Sequence, residues 1–372
     1  MKTNKSLSVF YKERLVGKLA VSRQGKIAFE YDENWLETGF SISPFSLPLE
    51  KQVFVPSKSH FSGLFGVFAD SLPDAWGNIL LNRVLKKHGI DPGTLNPLDR
   101  LAIVGNSGMG ALTYRPEMEI EGQEQILDLD LMAEECGKIL NAQYSEELDH
   151  LYKLGGTSGG ARPKIMIEID GKSWIIKFPA HVDPVESGLM EYEYSLCAKA
   201  CGLQMTDTRL FPSEKCKGYF GIERFDRRGN DRIHTLTAAA VLELNFEEPS
   251  LDYHSLMKLT KIMTRNSQVD IEEMFGRMCF NVFAHNRDDH SKNFTFLYDE
   301  DSDSWRLSPA YDLTYSNTYY GEHTTSVDGN GRNPSERELL QVGVKAGLGK
   351  RVCEKRIHEI KSCVEEMLGK YL

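Results

Sequence analysis

The spacing of apolar residues changes partway along this chain, and that change restricts its fold more than any other feature. Residues 7–31, LSVFYKERLVGKLAVSRQGKIAFEY, alternate apolar and polar side chains, with turn-like Lys-Glu and Gln-Gly breaks. Period two with such breaks predicts a small antiparallel meander. Near the other end the period lengthens. Ile271, Met274, Phe275, Met278, Val282 and Phe283 recur at three- and four-residue steps, as do Cys353, Ile357, Ile360, Val364 and Met367. Those steps put the apolar residues on one helix face, where they serve a core. Strands come first and helices later, so the expected class is α+β with a mixed N-lobe and a helical C-lobe.

The intervening segments fit this order. Leu72-Pro73-Asp74-Ala75-Trp76-Gly77 opens a helix that Gly89 stops. Residues 164–177 read as a hairpin about Asp170-Gly171, a strong two-residue turn signal. Residues 185–201 read as a helix and 219–225, YFGIERF, as a strand. At 372 residues the chain has room for more than one core. Four segments are expected: 1–115, a connector at 116–150, a core N-lobe at 151–230, and helices over 231–372.

Charge narrows the function classes. The net charge is −10, which argues against a broad nucleic-acid-binding surface. Residues 117–150 contain eleven Asp or Glu and one Lys, so that stretch equals the whole excess. It reads as a solvated, partly helical connector, with a docking surface for a basic partner as the alternative. The seven cysteines are scattered and form no paired CxxC motifs, so they read as small buried side chains. No run of eighteen apolar residues and no signal-peptide pattern appears, so a cytoplasmic protein is expected.

Chemistry concentrates in Asn286-Arg287-Asp288-Asp289-His290-Ser291-Lys292-Asn293, between an apolar helix and the apolar strand FTFLY. Asp288 and Asn293 are five apart. Phosphoryl transfer to a hydroxyl needs a carboxylate to accept its proton and an amide oxygen to hold a metal; kinase loops supply them as D-x-x-x-x-N. Asp289 misses that spacing, so Asp288 is the expected base. Asp312, in LSPAYDL, stands where a kinase places its chelating aspartate, and Asn293 with Asp312 makes a hard-oxygen pair suited to Mg²⁺. Gly155 to Lys164, GGTSGGARPK, can bring backbone N–H groups close to phosphate. Lys177 ends an apolar strand and needs partners; Glu193 is the candidate carboxylate, with Glu191 the alternative. Glu223-Arg224-Phe225 runs into the boundary between lobes and offers backbone to adenine. Each signal is weak alone, but all six stand in the order that a kinase requires.

These residues resemble the HipA-like serine/threonine kinases of bacterial type II toxin–antitoxin systems. The resemblance rests on FADSLPDAWG, SGGARPK, IERFDR, NRDDHSKN and LSPAYDL, and it runs across most of the chain. It implies a bilobal protein-kinase-like fold with an extra N-terminal β-rich subdomain at about residues 1–115. By resemblance, Asp288 is the catalytic base, and Asn293 and Asp312 are magnesium ligands. Ser158, Gly159, Gly160, Ala161, Arg162 and Lys164 belong to the phosphate loop, and Lys177 binds ATP phosphates. Glu223, Arg224 and Phe225 form the hinge, while His290, Lys292 and Asn293 line the nucleotide site. The resemblance further implies autophosphorylation in the loop, with Thr157 and Ser158 as candidates. It also implies a protein substrate such as an aminoacyl-tRNA synthetase. The implied partner is a small helix-turn-helix antitoxin, through which DNA is reached indirectly. Rival readings are a small-molecule kinase of the same fold and a nucleotide-binding pseudokinase that docks an antitoxin.

Overall fold

The computed structural model describes residues 3–23, 25–118, 128–180, 182–318 and 320–372. The chain divides into two compact units. The first comprises residues 1–188, 210–236 and 240–243; the second comprises 189–209, 237–239 and 244–372.

The first unit opens with a five-stranded antiparallel sheet. Its order is Val53–Phe54, Ile27–Tyr31, Arg14–Val21, Ser6–Tyr11, Leu112–Arg115. The first turn falls at Lys12 and Glu13, both at positive φ, so the Lys-Glu break lies where the alternation placed it. Of the second break, Gln24 lies outside the described residues. Leu7, Val9, Tyr11, Leu19, Ile27 and Phe29 are all buried. Each such side chain withdrawn from water contributes about 1.5–3 kcal/mol. Gly17 is required by close approach: a Cβ there would meet the Glu30 carbonyl oxygen at 2.2 Å.

The hairpin at Lys164–Ile169 and Lys172–Lys177 forms as the turn signal predicts, with Asp170 at φ 55 and Gly171 at φ 74. Tyr219–Glu223 pairs with its second strand. Against this sheet lies an apolar cluster that includes Trp76, Leu80, Val84, Ile165, Trp174, Ile176 and Tyr219.

The same cluster contains Met132, Cys136, Ile139, Leu148, Leu151 and Tyr152. These residues come from helices Leu129–Leu140 and Leu148–Gly155, which corrects the reading of the acidic stretch as a solvated connector. The helices are amphipathic, and the many carboxylates mask their apolar faces in the sequence. The acids also find partners inside the unit. Asp130 accepts from Tyr219 Oη at 2.7 Å and from Glu214 N at 2.9 Å, and Glu134 pairs with Lys215 at 2.6 Å. Of the acidic stretch, residues 119–127 lie outside the described residues.

The second unit is built on helices Tyr253–Met263, Gln268–Phe283, Glu336–Lys345 and Lys350–Leu368, with a hairpin at Thr295–Asp299 and Ser304–Leu307. Most of the predicted helical faces are buried: Met274, Phe275 and Met278 on one helix, Cys353, Ile357, Ile360 and Val364 on another. Phe283 is half-buried, and Met367, which the spacing gave to the core, is exposed where Leu368 turns inward instead. Gly343 lets the helices close up, since a Cβ there would lie 2.5 Å from the Phe275 ring and 2.6 Å from Cys353 Sγ.

Candidate functional site

Helix Gln268–Phe283 ends at Ala284, and His285 turns the chain at φ 50. The polar run begins there. Asn286 Nδ2 donates to Asn281 Oδ1 at 2.9 Å, which ties the loop to the helix that precedes it. Asp289 is 0% exposed. Its carboxylate accepts from Tyr253 Oη at 2.9 Å and from Thr325 N at 3.0 Å, and it lies 3.0 Å from His323 Nδ1. A buried carboxylate is costly unless so bonded. Asp288, one residue earlier, is exposed. Two adjacent aspartates thus differ in burial: Asp289 holds the loop from inside, and Asp288 is exposed.

A 3₁₀ turn at Ser291–Asn293 brings Asn293 back beneath Asp288, where Asn293 Nδ2 donates to the Asp288 carbonyl oxygen at 2.7 Å. That bond uses one of the two amide hydrogens and orients the amide of Asn293, whose Oδ1 is an acceptor. The Asp312 segment is held to the same loop. Tyr311 Oη donates to the Lys292 carbonyl at 2.5 Å and stands 2.6 Å from Thr295 Oγ1. Asp312 itself takes φ 56, a left-handed conformation that is uncommon for a residue with a Cβ. Asn286, Asn293, Tyr311 and Leu313 line one small cavity of about 10 Å³, together with Arg277 and Asp289. Asn293 and the neighbours of Asp312 are therefore brought together. His290 and Lys292 flank Phe246: the ring centroids of His290 and Phe246 are 5.6 Å apart, and Lys292 Nζ lies 4.5 Å over the Phe246 ring. Phe246 carries no sequence signal of its own.

Glu193 belongs to this second unit. The sequence reading gives its carboxylate to Lys177. The structure engages its Oε2 with Lys370 Nζ and Tyr371 Oη, each at 2.6 Å. These partners come from the last residues of the chain, which no local spacing relates to residue 193.

The first unit carries the remaining candidates. Lys164 and Lys177 stand opposite each other at one end of the hairpin, and Lys177 Nζ lies 5.7 Å from the Phe220 ring centroid. The glycine-rich loop is hydrogen-bonded within its own unit. Gly160 N donates to Asp74 Oδ2 at 3.0 Å, and Lys164 Nζ donates to the Gly159 carbonyl. Thr157 Oγ1 donates to the Ser107 carbonyl at 2.9 Å and Ser158 Oγ to the Gly155 carbonyl at 2.6 Å. These hydroxyls belong to residues only 4% and 1% exposed. Ala161 and Arg162 are exposed, and Arg162 Nε pairs with Asp183 at 2.7 Å.

Glu223 pairs with Lys172 at 2.8 Å, and Phe225 is half-buried. Arg224 uses its side chain within the unit. Its guanidinium is buried on Asp226, with Nε–Oδ1 at 2.9 Å and a second bond to Oδ2 at 2.8 Å, and its N–H donates to the Ser173 carbonyl. Its side chain is thus engaged within the fold, which leaves the expected hinge role to the backbone of 223–225. Asp226 also binds Arg227 at 2.7 Å and Gly110 N at 2.8 Å. Burial alone would raise its carboxyl, but Arg224, Arg227 and the Gly110 amide hold it well below the usual range. Arg227 and Arg232 then donate to carbonyls of residues 106–110, clamping the loop that receives Thr157. Arginine-rich spacing in 224–232 was the visible trace of this cluster.

Comparison with known proteins bears on the whole arrangement. The family described as HipA-like C-terminal domain matches residues 156–368, and the HipA N-terminal domain matches residues 7–115. The chain belongs to the HipA-like family. This HipA-like chain is 26% identical over 412 residues to "Putative kinase Y4mE" of Sinorhizobium fredii, covering 100% of this chain and 92% of that protein. "Putative kinase Y4dM" of the same organism is 24% identical over 76% of this chain and 72% of its own length. In fold, the chain is similar to HipA in a Shewanella oneidensis toxin–antitoxin complex with HipB and its operator DNA. That match has a TM-score of 0.73 at 19% identity and covers 98% of this chain and 90% of that one. The α+β HipA fold expected from the sequence is therefore present.

Proposed function

We propose that this HipA-like protein is an ATP- and Mg²⁺-dependent serine/threonine protein kinase of the toxin type. The observation that carries the reading is the divergence of Asp288 and Asp289. Buried Asp289 anchors the loop through Tyr253, His323 and Thr325, and it leaves Asp288 exposed, five residues from Asn293. Asp288 would accept the proton of a serine or threonine hydroxyl as that oxygen attacks the γ-phosphorus and ADP departs.

Asn293 and Asp312 fit magnesium. Each offers a hard oxygen, and the bond from Asn293 Nδ2 to the Asp288 carbonyl orients the Asn293 amide. The ion, when bound, neutralises charge on the transferred phosphate. Residues Ser158 to Lys164 and Lys177 would hold the ATP phosphates, the carbonyls of Glu223 to Phe225 the base, and His290 and Lys292 the nucleotide.

The toxin reading extends to partners. A small helix-turn-helix antitoxin would reach DNA on behalf of this chain, as HipB stands with HipA and operator DNA in the Shewanella complex. The protein substrate would be a translation component such as an aminoacyl-tRNA synthetase, met in the cytoplasm. No helix among the described residues is long and apolar enough to cross a membrane. Autophosphorylation would fall on Thr157 or Ser158. Both are buried and hydrogen-bonded, so the loop must leave its seat first.

The test is incubation of the purified chain and a cell lysate with labelled ATP and Mg²⁺. Labelled protein is expected, and Asp288→Asn should remove the label. Undiminished labelling by the variant would refute the role of Asp288. Transfer to a metabolite alone would overturn the protein-kinase reading.

A further inference from the structure

We propose that Cys197, Cys201 and Cys363, with Met367 beside Cys363, form a binding site for Cu(I). The site lies wholly within the second unit and is independent of the kinase reading. Cys197 sits on helix Ser187–Ala200, and Cys201 follows one turn later, its N–H donating to the Cys197 carbonyl at 2.8 Å. Cys363 sits on helix Lys350–Leu368. The three Sγ atoms all lie within 4.8 Å of one another. Thiolates bound to one metal at about 2.3 Å stand roughly 4 Å apart, so only a small contraction is needed.

The donor set selects the ion. It contains sulfur and neither imidazole nor carboxylate. Met367 Sδ lies 3.8 Å from Cys363 Sγ, one helical turn further along, and adds a thioether. Structural zinc prefers four thiolates or imidazoles. Three thiolates and a thioether suit a soft monovalent d¹⁰ cation. Arg356 acts on Cys201 and partly offsets the charge that three thiolates would bring.

Each bond to the metal replaces an S–H, so one Cu(I) and three thiols give a tris-thiolate and release three protons to solvent. Uptake therefore tightens as pH rises. Cys363 is half-buried while Cys197 and Cys201 are buried, so the ion would enter past Cys363. Once bound, it would staple helix Ser187–Ala200 to helix Lys350–Leu368, just beyond whose end Lys370 already pairs with Glu193.

The test titrates the reduced full chain anaerobically with Cu(I) presented as its bicinchoninate complex. The expected result is one Cu(I) withdrawn per chain, with proton release and a thiolate-to-copper charge-transfer band. Cys363→Ser, checked for fold by circular dichroism, should lose about tenfold or more in affinity. Met367→Leu should weaken binding less, and Cys216→Ser, in the other unit, should not change it. Failure to withdraw Cu(I), or parental affinity in Cys363→Ser, would overturn the site. Uptake of Zn(II) by the same thiols with no uptake of Cu(I) would overturn the choice of metal.

Discussion

Asp288 and Asp289 are identical side chains with opposite surroundings, and their variants should separate accordingly. Asp289→Asn leaves Tyr253, His323 and the Thr325 N–H competing for a neutral amide in a buried site. A loss of about 2–4 kcal/mol in urea denaturation is expected, together with loss of phosphate transfer. Asp288→Asn should stay within about 0.5 kcal/mol of the parent and still lose transfer. Equal stability losses would contradict the division of labour. His234 offers a pH handle in the first unit. It is buried, its Nε2 lies 2.9 Å from the Ile42 carbonyl, and burial lowers its pKa to about 4. The unfolded residue titrates near 6.5. Between those values the unfolded chain binds more protons, so stability falls as pH drops from about 6.5 toward 4. The slope reaches about 1.4 kcal/mol per pH unit. His234→Gln should show a shallower loss over that window, and an unchanged slope would count against this account.

At the scale of elements, the glycine-rich loop is held by residues distant in sequence. Asp74 stands before helix Ala75–Lys87, yet its carboxylate makes no capping bond to that helix and accepts instead from Gly160 N at 3.0 Å. Ser107, in the clamped 106–110 loop, receives Thr157. Asp74→Ala should therefore loosen the loop before it unfolds the unit. Amide exchange at Gly160 should quicken by roughly tenfold, the worth of one charge-assisted hydrogen bond. Exchange at Ile165 in the hairpin should not change. Parallel quickening at both sites would indicate general destabilisation instead.

At the scale of the molecule, a net charge of −10 and the inward use of acids point the same way. Part of the excess is spent on Lys215, Lys87 and Tyr219 inside the first unit, so the acidic stretch is less a docking surface than a packed element. The isolated chain should show no salt-dependent binding to non-specific duplex DNA by fluorescence anisotropy at micromolar concentration. Tight binding by the chain alone would contradict the proposal that DNA is reached through a partner.

The sequence by itself determined what depends on near neighbours. Alternation at 7–31, the Asp170-Gly171 turn and the helical period of 271–283 are local, and each element formed where its pattern lies. The D-x-x-x-x-N spacing picked Asp288 over Asp289 as the candidate, and the family was legible through the resemblance of its motifs. Only the tertiary structure decided which charges meet. Glu193 with Lys370, Arg224 buried on Asp226, Asp74 under Gly160 and Cys363 against Cys197 and Cys201 mostly join residues far apart in the chain. Packing chooses such partners, because a buried charge takes whichever group the fold delivers and local spacing does not record the delivery. The helices of 129–155 show the same limit: their acids dominated composition, while their apolar faces acquired meaning only against Trp76, Ile165 and Trp174.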